Sequence, residues 1–184
     1  MRRSDRGYPR PLLQSRARRD ASDFVAGLVR CVLDGPRRHR RRAQSEGHPR
    51  GGGGHLQWKT AAEEIRRERA QGKTDAIVLV GHSQGANNVI DMARVLEAQN
   101  VPVALLVTLA PYRQDPVPAN VMRAINYYQS AGWGAPLTAG PGFRGKLSNV
   151  DVAEDSTVSH INIDKSARIQ AEIAREIAAI AKAK

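Results

Sequence analysis

The stretch from Asp75 to Ala98, DAIVLVGHSQGANNVIDMARVLEA, limits the folds open to this chain more than any other. Five consecutive aliphatic residues, Ala76 to Val80, read as a buried strand, and the run stops at Gly81. From Ala86 onward Val89, Met92, Ala93 and Leu96 recur at helical spacing as one apolar stripe, which Asn100 terminates. Between strand and helix stands Gly81-His82-Ser83-Gln84-Gly85. A serine on so sharp a turn has flanking positions too close together for side chains, and glycine at 81 and 85 supplies the room. Such a turn lifts the Ser83 hydroxyl above the carboxyl edge of a sheet. It brings the first N–H groups of the helix to the same space, so the N–H of Gln84 is the expected oxyanion donor.

The rest of the chain from His55 on fits that unit. His55–Gln71 has helical density, with Trp58, Ala62, Ile65 and Arg69 in register and a stop at Gly72. Val101–Leu109 (VPVALLVTL) is a second apolar run of strand length, so strand, helix and strand predict a right-handed βαβ unit. Ala110–Asn120 is proline-rich and reads as a loop at the carboxyl end of the second strand, where open α/β sheets place their chemistry. A short helix is expected over about Val121–Gln129, then a Gly/Pro-rich loop Ser130–Gly145 and a last strand Lys146–Val152. Another carboxyl-edge loop, Thr157–Asp164, leads to a closing helix, Lys165–Ala181, whose Ile169, Ile173, Ile177 and Ile180 should pack on the sheet.

Charge divides the chain differently. Residues 1–50 hold 14 Arg and no Lys against 5 acidic residues, which places nine of the eleven excess positive charges there. Residues 1–54 therefore read as a separate Arg/Gly-rich segment, ending in the run Gly51–Gly54. One reading is a disordered basic arm for nucleic acid or an anionic surface. Only Tyr8 and Phe24 are available there for base stacking, which counts against nucleic acid. The other is a start-site or reading-frame error in a GC-rich gene, since Arg-rich, Lys-free composition is what such a gene gives out of frame. A single cysteine, Cys31, excludes an internal disulfide and a thiolate cluster. No apolar run reaches the 18 residues of a membrane span, and Phe24–Leu33, interrupted by Arg30, is too weak for a signal core, so the expected location is the cytoplasm. Gly72-Lys73-Thr74 lacks the earlier glycine of a phosphate loop, because Arg67 stands there. With no GxGxxG and no zinc-ligand spacing, no cofactor and no metal are expected.

The strand, Gly-x-Ser-x-Gly turn and helix resemble the α/β-hydrolase superfamily. More narrowly, VTLAPYRQDPVPANVMRAINYYQSAGWG followed by HINIDKSARIQ resembles a group of bacterial lipase- or thioesterase-like hydrolases. The resemblance implies a partial α/β-hydrolase fold over 55–184, a parallel sheet with flanking helices whose N-terminal strands are missing or replaced. Ser83 is then the nucleophile. The superfamily order of nucleophile, acid and histidine assigns the base to His160, the only histidine after the turn; His82 is expected to be structural. In those relatives an Asp is expected at the strand end before a proline, a place taken here by Ala110 before Pro111. Asp115, further along the same loop, is the expected acid, and Asp151 the second choice. The second oxyanion donor would come from a Gly-containing loop early in the sheet; His48–Gly54 (HPRGGGG) has no strand before it to serve.

Three functions follow as expectations. The first is a serine hydrolase that cleaves a small-molecule ester or thioester through an acyl-serine, with Trp133 and Phe143 as an apolar wall. The second is a truncated, non-catalytic relative; the third is nucleic-acid binding through the basic arm. The strand Ala76–Val80 should be flanked on both sides, and Phe24–Leu33 is the only upstream candidate. Left unpaired, that edge would favour self-association.

Overall fold

The computed structural model describes the backbone of residues 28–33, 44–45, 54–72 and 76–182, with side chains over 58–72 and 76–182. The basic-arm reading and the HPRGGGG stretch fall almost wholly outside the described residues. The elements in order are β1 (Leu28–Leu33), β2 (Gln44–Ser45), α1 (Gly54–Ala70), β3 (Ala76–His82), α2 (Gln84–Glu97), β4 (Leu105–Leu109), β5 (Arg123–Tyr128), β6 (Lys146–Asp151) and α3 (Ala167–Lys182). Among the described residues one sheet holds every strand, in the order β2-β1-β3-β4-β5-β6. The four strands β3 to β6 run parallel, and this is an α/β architecture.

Alternation along the strands divides the core in two, because successive side chains leave opposite faces of a sheet. Ile77 and Leu79 of β3, with Leu106 and Ala124, meet the apolar stripes of α1 and α2: Trp58, Ala62 and Ile65 from one, Val89, Met92, Ala93 and Leu96 from the other. Val78 and Val80, with Leu105, Val107, Leu109, Ile125 and Tyr127, meet Ile169 and Ile173 of α3. Ile177 and Ile180 of α3 pack at the margin of that second cluster, half-buried. Each fully buried aliphatic side chain contributes roughly 1.5–3 kcal/mol by leaving water, so both faces of β3 and β4 are held by substantial burial.

Two expectations change, and the conditional one about the edge of β3 is resolved by pairing. The helix foreseen over 121–129 is a strand: β5 lies between β4 and β6, with Ala124, Ile125, Asn126 and Tyr127 all buried. Burial on both faces, together with the polar partners of Asn126, decides the structure of a short segment whose pattern suits either state. The connection from β4 to β5 is therefore a loop without a helix. Second, β3 does not present a free edge. Leu28–Leu33 pairs with it antiparallel, from Leu28 opposite Gly81 to Leu33 opposite Ala76. Self-association through that edge thus loses its basis. Third, Phe143 packs against the core cluster that α1 and α2 cover. Among the described residues no helix is long and apolar enough to cross a membrane.

A buried polar ladder ties the long β5–β6 loop to the sheet. Thr108 on β4 donates to Asn126 Oδ1 (2.9 Å), and Asn126 Nδ2 donates to Asn149 Oδ1 on β6 and to the Ala135 carbonyl. Asn149 in turn accepts from the Leu137 N–H and donates to the Leu137 carbonyl. With its partners made, Asn126 is wholly buried without an unsatisfied amide. The loop that carries Trp133 is fixed by this ladder to three adjacent strands.

Candidate active site

Ser83 sits between the last residue of β3 and the first of α2, at φ 55° and ψ −120°. Side chains with a Cβ rarely adopt that backbone, and such strain persists only where the surroundings impose it. Two hydrogen bonds do so: Ser83 N–H donates to the Leu109 carbonyl of β4 (2.8 Å), and Ala86 N–H donates to the Ser83 carbonyl (3.0 Å). The turn is as tight as the glycine spacing predicts. A Cβ at Gly81 would lie 2.2 Å from the Gly85 oxygen and 2.5 Å from its carbon, far inside van der Waals contact.

His160 comes from the loop between β6 and α3, and its Nε2 lies 3.1 Å from the Ser83 hydroxyl. Ser83 and His160, seventy-seven positions apart, are brought together as expected. The imidazole stacks on Trp133 (centroids 4.5 Å, planes 29° apart) and tilts against His82 (5.2 Å, 48°). Trp133 reaches it through a turn in which Gln129 N–H donates to the Trp133 carbonyl, while Gln129 Nε2 donates to the Val158 carbonyl. Gly134, at φ 83°, carries the chain so close over Ala110 that a Cβ there would be 3.3 Å from the Ala110 Cα. Burial, and after it the neighbouring His82, lowers the His160 pKa below its ordinary value. The imidazole is therefore neutral at neutral pH, the form able to accept a proton.

The acid is where the expectation fails. Asp115 is engaged elsewhere: it accepts from Asn87 Nδ2 (2.7 Å) and pairs with Arg113 (3.1 Å) and, more loosely, Arg94 (3.9 Å). Asn87, wholly buried one turn into α2, also accepts from the N–H groups of Tyr112 and Arg113 and donates to the Arg113 carbonyl. Asp115 thus belongs to a clamp holding the β4–β5 loop on α2. Asp151 accepts from the Ser130 and Ala153 N–H groups, and hydrogen bonding by the Ser130 side chain first, then by the Ala153 N–H, holds its carboxyl below the usual range. Neither carboxylate reaches His160, whose Nδ1 is buried and hydrogen-bonded to no protein atom.

Gln84 is the first residue of α2. Its N–H therefore has no acceptor within the helix and keeps the polarity of a helix N-terminus beside the serine. Its side chain donates instead to Asn88 (3.2 Å).

Two further residues complete the site: His82, expected to be structural, and Asp164, which sequence reasoning passed over. His82 Nε2 is 2.7 Å from the main-chain oxygen of His160, and its Nδ1 is 4.0 Å from Asp164 Oδ1. Asp164, 3% exposed on the single 3-10 turn Ile163–Lys165, makes no hydrogen bond through either carboxylate oxygen. The one sequence signal was its place between Ile163 and Ile169, both of which are buried. Comparison with protein-family models, with curated proteins and with solved structures found no match to this chain.

Proposed function

We propose that this protein is a serine hydrolase of partial α/β-hydrolase type, acting on an ester or thioester. The observation that carries the proposal is a strained Ser83 whose hydroxyl lies 3.1 Å from the His160 imidazole. The Ser83 oxygen attacks the acyl carbon as its proton passes to His160 Nε2, and the carbonyl oxygen becomes an oxyanion held by the Gln84 N–H. Collapse breaks the bond to the leaving alcohol or thiol, which takes the proton from His160 and leaves an acyl-serine. Water, deprotonated by the same nitrogen, then releases the acid and restores the serine.

This chemistry puts the imidazole hydrogen on Nδ1, where no carboxylate receives it. In a serine protease triad, loss of a functional carboxylate lowers turnover by about 10⁴-fold. Slow acyl transfer is therefore expected, and covalent capture is a better test than turnover. A fluorophosphonate probe should label Ser83 in the full chain, fail with Ser83→Ala, and label His160→Ala far more slowly.

The unpartnered Nδ1 also favours a second reading, a non-catalytic relative that retains the turn without the triad. Absence of labelling in the folded wild-type chain would select it.

A further inference from the structure

Three buried polar atoms on one loop make no hydrogen bond within the protein: His160 Nδ1 and both carboxylate oxygens of Asp164. A carboxylate left so is costly, and among the described residues the His82 ring lies 4.0 Å from it. The other end of that ring is committed. A carbonyl oxygen can only accept, so His82 Nε2, 2.7 Å from the His160 oxygen, carries a hydrogen and donates it. At 4.0 Å the contact between Nδ1 and Asp164 is electrostatic and not a hydrogen bond. A proton on Nδ1 would offset part of the burial cost of the carboxylate and polarise the bond from Nε2 to the carbonyl.

We infer that Asp164 and His82 are positioning residues: the carboxylate holds the His82 ring, and that ring grips the main chain of His160 and so sets the distance from its imidazole to Ser83. The inference rests on the serine-hydrolase reading for its consequence, but not for its geometry. The other supports of the loop lie elsewhere. Asn162 accepts from the Ser159 N–H and hydroxyl and closes the turn on itself, and Gln170 on α3 donates to the Asp164 carbonyl (2.8 Å). Within this hydrogen-bonded set, the bond from His82 is the one that joins the His160 main chain to the strand carrying the nucleophile, through the residue next to Ser83. With Asp115 and Asp151 bonded elsewhere, Asp164 is the carboxylate built into this part of the site.

The test uses the full chain with His82→Ala, His82→Gln, Asp164→Ala and Asp164→Asn, each checked for folding by urea denaturation. Displacement of a catalytic group by about 1 Å costs on the order of 10²-fold in rate. The fluorophosphonate labelling rate of Ser83 should fall about 10- to 100-fold in His82→Ala and Asp164→Ala. His82→Gln, whose amide can still donate to the carbonyl, should recover part of it. With p-nitrophenyl acetate the loss should fall on kcat and leave KM unchanged, a split that general loosening of the fold would not give. Folded His82→Ala and Asp164→Asn proteins that label at the wild-type rate would overturn the inference while leaving the hydrolase reading intact. Should the wild type itself not label, that reading falls and the imidazole nitrogen NMR spectrum decides the positioning role. A His82 Nδ1 resonance in the protonated range that moves in Asp164→Asn supports the pair, and one that Asp164→Asn leaves unchanged refutes it.

Discussion

The strain at Ser83 can be measured without any substrate. At φ 55° and ψ −120° the residue occupies backbone space costing roughly 1–3 kcal/mol for anything with a Cβ. Ser83→Ala keeps the Cβ, and with it the strain; Ser83→Gly releases it. Both variants lose the hydroxyl and its 3.1 Å contact with His160, so that loss cancels in the comparison. Glycine also gives the unfolded chain more freedom, which offsets about 0.5–1 kcal/mol of the gain. The glycine variant should therefore be more stable than the alanine variant by about 0.5–2 kcal/mol, read as a higher urea midpoint at equal slope. In a protein of this size that is a rise in Tm of roughly 2–6 °C. The reasoning is refuted if Ser83→Gly unfolds at the same or a lower urea concentration than Ser83→Ala, since the turn would then store no backbone energy.

Gly81→Ala forces a methyl group to within 2.2 Å of the Gly85 oxygen, so the start of α2 must move by about 1 Å. A stability loss of about 1–3 kcal/mol and a labelling rate lower by about 10²-fold are expected; calorimetry and probe kinetics check them. Asn87→Ala leaves the Tyr112 and Arg113 N–H groups without their acceptor and removes the amide donor to Asp115. The expected cost is about 2–4 kcal/mol in urea unfolding, with proteolytic cleavage opening first in the 110–120 loop. Because burial and then His82 lower the His160 pKa, the labelling rate should rise as the imidazole loses its proton, with the midpoint of the rise below the ordinary histidine value. A rise centred at or above pH 6.5, the ordinary value, would contradict that environment.

The strand, turn and helix around Ser83 were legible because each signal is local: an unbroken aliphatic run, glycines that a tight turn demands, and a stripe at helical spacing. His160 was legible from chain order, and α3 from its isoleucines. What escaped depends on contacts between residues far apart. β5 is short and holds Arg123 and Asn126 among apolar residues, so only its neighbours Thr108 and Asn149 make sense of a buried amide there. Asp115 looked free in its loop, yet Asn87, twenty-eight positions earlier, captures it. Asp164 reads as a surface loop residue until the chain folds the turn 163–165 inward, and nothing within a few positions of it announces that burial.

The chain contains two tryptophans, and the fold gives them different surroundings. Trp58 lies in the cluster beneath α1 and α2, while Trp133, 54% exposed, lies flat against the His160 ring. A protonated imidazole quenches indole emission more strongly than a neutral one. In a Trp58→Phe background, the fluorescence of Trp133 should therefore follow the proton on His160 directly, giving an optical titration of that imidazole with no ligand bound.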